Sequence, residues 1–327
     1  MSNVIKLGSV YLLIAILCAC ASKPAENQAA QAAETDQANQ ANQTMPAAKP
    51  YQSAGEIIAG APESAWRTLD VNQLMQLNFT GGAVLIELAP QFAPLHVENL
   101  KTLVRAGYFD GLALIRSQDN FVVQWGDPNA SDALKKRALG AAQASLAPEF
   151  ERASAGLSFV ALPDADGFAD VVGFSEGFPV GRDSKTGTSW LAHCYGMVGA
   201  GRDEAVESGS GAELYAVTGQ APRQLDRNIA LLGRVISGME FLSTTPRGPA
   251  PMGFFADASQ HVKIKSAHIA ADLPAAMQPK WQAMRVESPE FNQVIEARRN
   301  RLDSWYKRPA GYIDLCNVPL PVRQVVP

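Results

Sequence analysis

Hydrophobic positions along this chain fall mostly into short runs rather than long stripes. Residues 74–79, "LMQLNF", and 83–88, "AVLIEL", are two such runs, separated by Thr80, Gly81 and Gly82. Short apolar runs bounded by turn formers signal strands, and a glycine pair between two of them signals a hairpin. Further strands are predicted at 112–116, 121–125, 157–162, 169–174, 195–199, 213–218, 229–236 and 262–269. Two segments break this pattern. In "APLHVENLKTLVRAG", Val97, Leu100, Leu103 and Val104 share one helical face, Pro94 suits the first turn, and Gly107 can end the helix. "GMEFLST", residues 238–244, fits a second, shorter helix. The pattern predicts an all-β dominated fold, an antiparallel barrel or sandwich with two helices.

The tail changes period. In "SPEFNQVIEARRNRLDSWY", Ser288 is a candidate N-cap and Pro289 takes the first helical position. Phe291, Val294, Ile295, Leu302 and Trp305 then recur at helical spacing, which predicts an extra C-terminal helix packed on the barrel. Arg298, Arg299 and Arg301 read as its solvated face. "YIDLCNVPLPVRQVVP" follows as extended chain.

The N-terminus has another character. Lys6 precedes an apolar run from Leu7 to Leu17, too short to span a bilayer, which is a signal-peptide pattern over residues 1–19. It ends in "LCAC", which resembles the bacterial lipobox. That resemblance implies acylation of Cys20 as the first mature residue. Ala21 after it, rather than Asp, implies lipid anchoring to the outer membrane, facing the periplasm. Residues 20–50 are rich in Ala, Gln and Asn and hold too little apolar surface to offset their ordering entropy. They are expected to form a lipidated tether, with the folded body beginning near Trp66 and the lipid as the only membrane contact.

Composition narrows the partners. A chain of 327 residues can bury a sizeable core, and 47% hydrophobic with 18% charged residues is ordinary for a globular protein. A net charge of −4 gives no basic field to draw nucleic acid. Cys194 and Cys316 are the cysteines left in the mature body. In an oxidising compartment such a pair is compatible with a disulfide, but spacing alone leaves the pairing open. Two cysteines and four scattered histidines lack metal-ligand spacing, so neither metal nor cofactor is expected.

Two small motifs call for chemistry and then lose it. "GFSEG", Gly173 to Gly177, matches the nucleophile elbow of serine hydrolases, which needs a helix directly after Ser175. Pro179 and Gly181 argue against that helix, so Ser175 is expected to be a loop serine. "PDADG", ending at Gly167, starts like a calcium loop, but its glycine comes too early and the last glutamate is missing. A solvated turn is expected there.

A longer stretch carries more. "VLIELAPQFAPLHVENLKTLVRAGYFDGLALIRSQDNFVVQWGDP" resembles the first half of a cyclophilin-type peptidyl-prolyl isomerase. The acidic strand, the helix start, the "GYFDG" turn and the spacing of Arg116, Phe121, Gln124 and "GDP" occur in family order. "GSGAELYAVTG" and "QLDRNIALLGRVISGMEFL" are similar to later family segments, with an insertion around 150–190. The resemblance implies a closed antiparallel barrel capped by two helices over 65–272, with 273–327 as a helical extension and tail. It implies that Arg116 and Gln124 are catalytic and that Phe121, Val122, Tyr215 and Leu225 hold the substrate proline. The family's histidine beside the arginine is here Ile115, its pocket tryptophan Gln224, its pocket histidine Ile229, and a glycine of its "GGDP" is Trp125. The implied function is cis/trans isomerisation of X-Pro bonds in periplasmic polypeptides by a monomer, with weak turnover given those departures. The second reading is a binding module for proline-containing segments.

Overall fold

The structure is a computed structural model that describes residues 51–325; Cys20, the expected signal peptide and the segment 20–50 lie outside the described residues. Strands in chain order are β1 (Trp66–Thr68), β2 (Leu74–Phe79), β3 (Ala83–Leu88), β4 (Ala113–Ser117), β5 (Val122–Gly126), β6 (Arg152–Ala153), β7 (Val160–Ala161) and β8 (Val171–Ser175). They continue as β9 (Phe178–Asp183), β10 (Thr188–Leu191), β11 (Met197–Ala200), β12 (Leu214–Val217), β13 (Leu231–Ser237), β14 (Val262–Ile269), β15 (Trp281–Met284) and β16 (Val322–Gln324). The α-helices are α1 (Ala54–Gly60), α2 (Pro94–Arg105), α3 (Met239–Ser243) and α4 (Pro289–Asn300).

Eight strands close into an antiparallel barrel in the order β11-β12-β5-β4-β14-β2-β3-β13. Side chains alternate across each strand. Val123, Trp125, Leu214, Ala216 and Leu232 enter the buried core, where α2 adds Val97, Leu100, Leu103 and Val104 and α3 adds Leu242. Trp125, at the family's glycine position, is fully buried in this core. Ala93, before α2, has no side chain with which to cap it. Glu149 does so from a distance, accepting from the backbone N–H of Leu95 and of His96, both at 3.0 Å, and from the His96 ring at 2.6 Å.

The insertion forms a sheet of its own, in the order β6-β10-β9-β8-β7, and β1, β15 and β16 make a third sheet. Phe174, Phe178 and Val180 of the insertion share a buried cluster with Phe291, Val294 and Ile295 of α4 and with Val122, Tyr215 and Val217 from the outer face of the barrel. The insertion therefore packs on the barrel, and α4 packs against α1 and the insertion: Phe174 and Phe291 meet edge to face at 5.2 Å. A Cys194–Cys316 disulfide, with Cα atoms 4.9 Å apart, joins the tail to the segment before β11.

Several expectations need correction. The body begins before Trp66, with α1, whose cap Ser53 forms a reciprocal box with Glu56. Of the described residues 21% are helical and 27% strand, so the fold is not dominated by β-structure. The strand expected at 157–162 shrinks to β7, two residues long. Helix α4 ends at Asn300, where Arg301 takes a left-handed φ of 42°. Leu302 and Trp305, expected on its apolar face, are 69% and 77% exposed. The arginines are not a free face either: Arg299 pairs with Asp164 and Arg298 donates to the Asn317 carbonyl. "PDADG" is no solvated turn, because the Asp164 and Asp166 side chains are largely covered and pair with Arg299 and Arg223. Ser175, expected in a loop, is the fully buried last residue of strand β8 and pairs with Phe178 of β9; no helix follows it, as expected. Glu176 and Gly177, with φ of 49° and 88°, make the hairpin turn between β8 and β9.

Candidate active site

The site lies on the outer face of the barrel, where β4, β5 and β12 run side by side. Period-two alternation sends Val123 and Trp125 inward and Val122 and Gln124 outward. On β12, Leu214 and Ala216 face the core and Tyr215 faces out. Strand β4 would be out of step, but its register shifts between Leu114 and Arg116. This bulge at Ile115 places Arg116 opposite Gln124, which in turn lies opposite Tyr215. Three side chains that are far apart in sequence thereby form one row.

That row floors a groove of about 630 Å³. Arg116, Phe121, Val122, Gln124, Tyr215 and Leu225, all six residues expected at the site, line it, and Ile229 joins them. Gln224 is exposed, as its side of the Ala221–Leu225 turn faces solvent. The apolar part is a cup of Phe121, Val122, Leu225 and the Tyr215 ring. Gly199 lies opposite Tyr215 and leaves room for its hydroxyl, which would sit 2.3 Å from a Cβ there.

Arg116 is 8% exposed and held on three sides. Its Nε donates to the Met252 carbonyl at 2.6 Å, Nη1 donates to Gln124 Oε1 at 3.1 Å, and Nη2 donates to Gln118 Oε1. The Phe254 and Phe121 rings lie 5.0 and 5.5 Å from Cζ. Burial draws the guanidinium's pKa below its ordinary value, opposed by the Glu213 carboxylate, and the group stays charged. Gln124 passes the contact on, because its Nε2 donates to Glu213 Oε2 at 2.6 Å. Burial raises the Glu213 pKa, against the Gln124 bond that favours the carboxylate.

Beneath the cup runs a second chain of contacts. The Tyr215 hydroxyl and His193 Nε2 are 2.8 Å apart. His193 Nδ1 is 2.8 Å from Asp226 Oδ1, and since a carboxylate only accepts, Nδ1 carries the hydrogen. Asp226 also accepts from Arg223, whose other edge is bidentate on Asp166 of the insertion. Burial, and behind it the negative Asp226, push the Tyr215 phenol far above its ordinary pKa, so it stays neutral.

Sequence reasoning missed four participants: Glu213, Gln118, and the pair Met252 and Phe254. Glu213 sits two residues before Tyr215 in a motif already singled out, so period two was the available signal for its outward side chain. Met252 and Phe254 reach Arg116 through a segment that runs beside β4, with Ser117 N–H donating to the Gly253 carbonyl and Phe255 N–H to that of Ile115. No local pattern announces that.

The site is thus an arginine and an amide above an apolar cup, on the outside of a closed eight-stranded barrel on which α2 and α3 pack. Residues 74–269, more than half of the chain, match the family described as "Cyclophilin type peptidyl-prolyl cis-trans isomerase/CLD", and the chain belongs to it. The crystal structure of cyclophilin AquaCyp293 from Hirschia baltica superposes with a TM-score of 0.63 at 24% identity, over 84% of this chain and 98% of that one, which shows a shared fold. A probable peptidyl-prolyl cis-trans isomerase from Brucella suis biovar 1 is 38% identical over 68 residues, 21% of this chain and 34% of its own length. Peptidyl-prolyl cis-trans isomerase ppi1 of Schizosaccharomyces pombe is 39% identical over 57 residues, 17% of this chain and 37% of its own. The matched stretches span little more than a third of these curated relatives, or less.

Proposed function

We propose that this protein isomerises X-Pro peptide bonds of polypeptides in this groove. The observation that carries the reading is the row of Arg116, Gln124 and Tyr215 across three adjacent strands, beside an apolar cup. Rotation about the bond breaks amide resonance against a barrier of about 18–20 kcal/mol. The reaction needs only an environment that prefers the twisted amide, whose nitrogen has a free lone pair. Arg116 has five N–H donors, three of which serve Met252, Gln124 and Gln118. The two that remain can stabilise the prolyl nitrogen or the preceding carbonyl. Phe121, Val122, Leu225 and Tyr215 hold the ring, and Gln124, steadied by Glu213, can bond the substrate backbone. A coupled prolyl-peptide assay of wild type against Arg116→Ala tests this: equal rates from folded proteins would remove Arg116 from the mechanism.

The second reading, a module that binds proline segments without turning them over, draws support from Ile115, Gln224 and Ile229, which stand where the family has its histidine, tryptophan and second histidine. Peptide binding measured by calorimetry, with no acceleration of exchange in the same peptide, would favour it.

The chain is further proposed to be a bacterial lipoprotein, acylated at Cys20 and held at the periplasmic face of the outer membrane, where its clients are proline-containing periplasmic polypeptides. The apolar run 7–17 and "LCAC" support this. Mass spectrometry of the mature N-terminus tests it, and an unmodified Cys20 would refute it.

A further inference from the structure

The tail beyond α4 exposes apolar and cationic side chains together. Trp305 is 77% exposed and Leu302 69%, the largest exposures among the described tail aromatics and aliphatics. Residues 298–312 carry five basic side chains against one acidic one, in a chain whose net charge is −4. Arg299 and Arg298 are engaged by Asp164 and by the Asn317 carbonyl. Arg301, Lys307 and Arg308 remain as the surface cations: Arg301 lies over the Tyr306 ring at 4.9 Å and Lys307 rests on the Ser304 carbonyl. The Trp305 ring meets Tyr306 edge to face at 4.8 Å, and indole with flanking Lys and Arg is the composition favoured at a bilayer interface.

Position points the same way. The chain enters the described body at Tyr51, and α1, which follows it, packs on α4. Tyr51 lies beside this patch: burial and the neighbouring Asp303 carboxylate raise its phenol pKa, and Arg301 acts on it in the opposite sense. Fifty residues precede this point. With Cys20 lipidated, residues 21–50 would tether the body to a bilayer through Tyr51, beside which this patch lies. We propose that this face docks on an anionic phospholipid surface, with Leu302 and Trp305 entering the interface and Arg301, Lys307 and Arg308 meeting the headgroups. The proposal rests on the lipid-anchored reading.

The surface need not bind strongly alone. A tether turns docking into an intramolecular step at high effective concentration, so a few weak contacts suffice. Each Lys or Arg near an anionic surface strengthens binding roughly fivefold, and a tryptophan adds to this. A second copy of this chain is a poorer occupant, because the two faces would bring like charges together.

The test uses the full lipidated chain in vesicles containing phosphatidylglycerol or phosphatidylcholine alone, with brominated acyl chains as quenchers. Trp66, Trp125 and Trp190 are buried and Trp281 is half-buried, so the tail indole is read as the difference between wild type and Trp305→Phe, in which those four are common to both. The expected result is a blue-shifted Trp305 emission quenched by brominated lipid in anionic vesicles and not in neutral ones. Lys307→Glu with Arg308→Glu should weaken that quenching roughly tenfold or more, given two reversed charges. The proposal is overturned if vesicle-bound protein keeps a Trp305 that is open to acrylamide and untouched by brominated lipid. It is equally overturned if Trp305 is shielded without vesicles and sedimentation shows a dimer. A chain that stays in the supernatant of both vesicle types marks failure of the lipid anchor instead. Tethering through an N-terminal His-tag to nickel-chelating lipid then puts the same Trp305 question directly.

Discussion

Replacing Arg116 with alanine separates a catalytic groove from a merely apolar one. The structure sets the size of the effect. The guanidinium is buried, oriented by Met252, Gln124 and Gln118, and flanked by Phe121 and Phe254, so it needs no reorganisation to meet the twisted amide. Removing one such preorganised donor costs about 3 kcal/mol of transition-state stabilisation. That is on the order of a hundredfold in kcat/KM. The same change leaves Gln124 Oε1 without its donor, which costs about 1–3 kcal/mol of folding stability for a buried acceptor. The assay therefore pairs the coupled prolyl-peptide measurement with a melting curve, at a temperature where both proteins are folded. Arg116→Lys sharpens it. Three N–H bonds on one atom cannot reproduce a planar fork that already serves three acceptors, so lysine should recover less than a tenth of the lost rate. A folded Arg116→Ala protein within about threefold of wild type would refute the electrostatic argument, since threefold is below 1 kcal/mol.

Tyr215→Phe should keep the ring that lines the cup and lose the bond to buried His193, so activity stays within a few-fold while stability falls by about 1–2 kcal/mol in denaturant titrations. Cys194→Ser should cost up to roughly 5 kcal/mol, the chain-entropy value for so long a loop, and wild type under reductant should match it. Two carboxylates should show opposite pH dependences in stability. Glu149 is half-buried, which raises its pKa, but the His96 bond and two helix N–H groups outweigh this and hold it below the ordinary value. Its contribution is present above the unfolded pKa and lost as pH falls through the folded one, so the gap between wild type and Glu149→Gln should close in acid. Glu213 is the reverse: its folded pKa is raised by burial, so wild type should gain on Glu213→Gln as pH falls from neutral toward the ordinary glutamate range. Urea midpoints across that range check both signs.

What was legible in the sequence was local. The β2–β3 hairpin and α2 follow from turn residues and spacing within a dozen residues, and they stand where expected. Arg116, Phe121 and Gln124 were legible because one hairpin holds all three. What escaped depends on register and distance. The outward turn of Arg116 needs the bulge at Ile115, and the tie to Met252 spans 136 residues of sequence. Helix α1 had its signal in Ser53 and Glu56, a capping box overlooked beside the stronger strand pattern that follows. The end of α4 had none: its spacing continues to Trp305, but Arg298 and Arg299 are held by the Asn317 carbonyl and Asp164, and the chain turns at Arg301.

The departures from the family and the additions to it meet at one place. By the sequence resemblance, Gln224 and Ile229 stand at the family's tryptophan and second histidine positions, two of its usual pocket walls. Between them lies Asp226, which receives His193 and Arg223 and so links the Tyr215 hydroxyl to the insertion through Asp166. Two residues before Asp166, Asp164 holds Arg299 of α4. One acidic turn thus clamps both the loop behind the cup and the tail helix. Buried ion pairs are weak sources of net stability, but losing one partner is costly, so they fix relative position more than they add free energy. The Cys194–Cys316 disulfide acts at the same level, with Cys194 adjoining His193 and Arg223 Nη1 3.9 Å from Cys316 Sγ. Insertion and tail therefore brace the floor of the groove from behind.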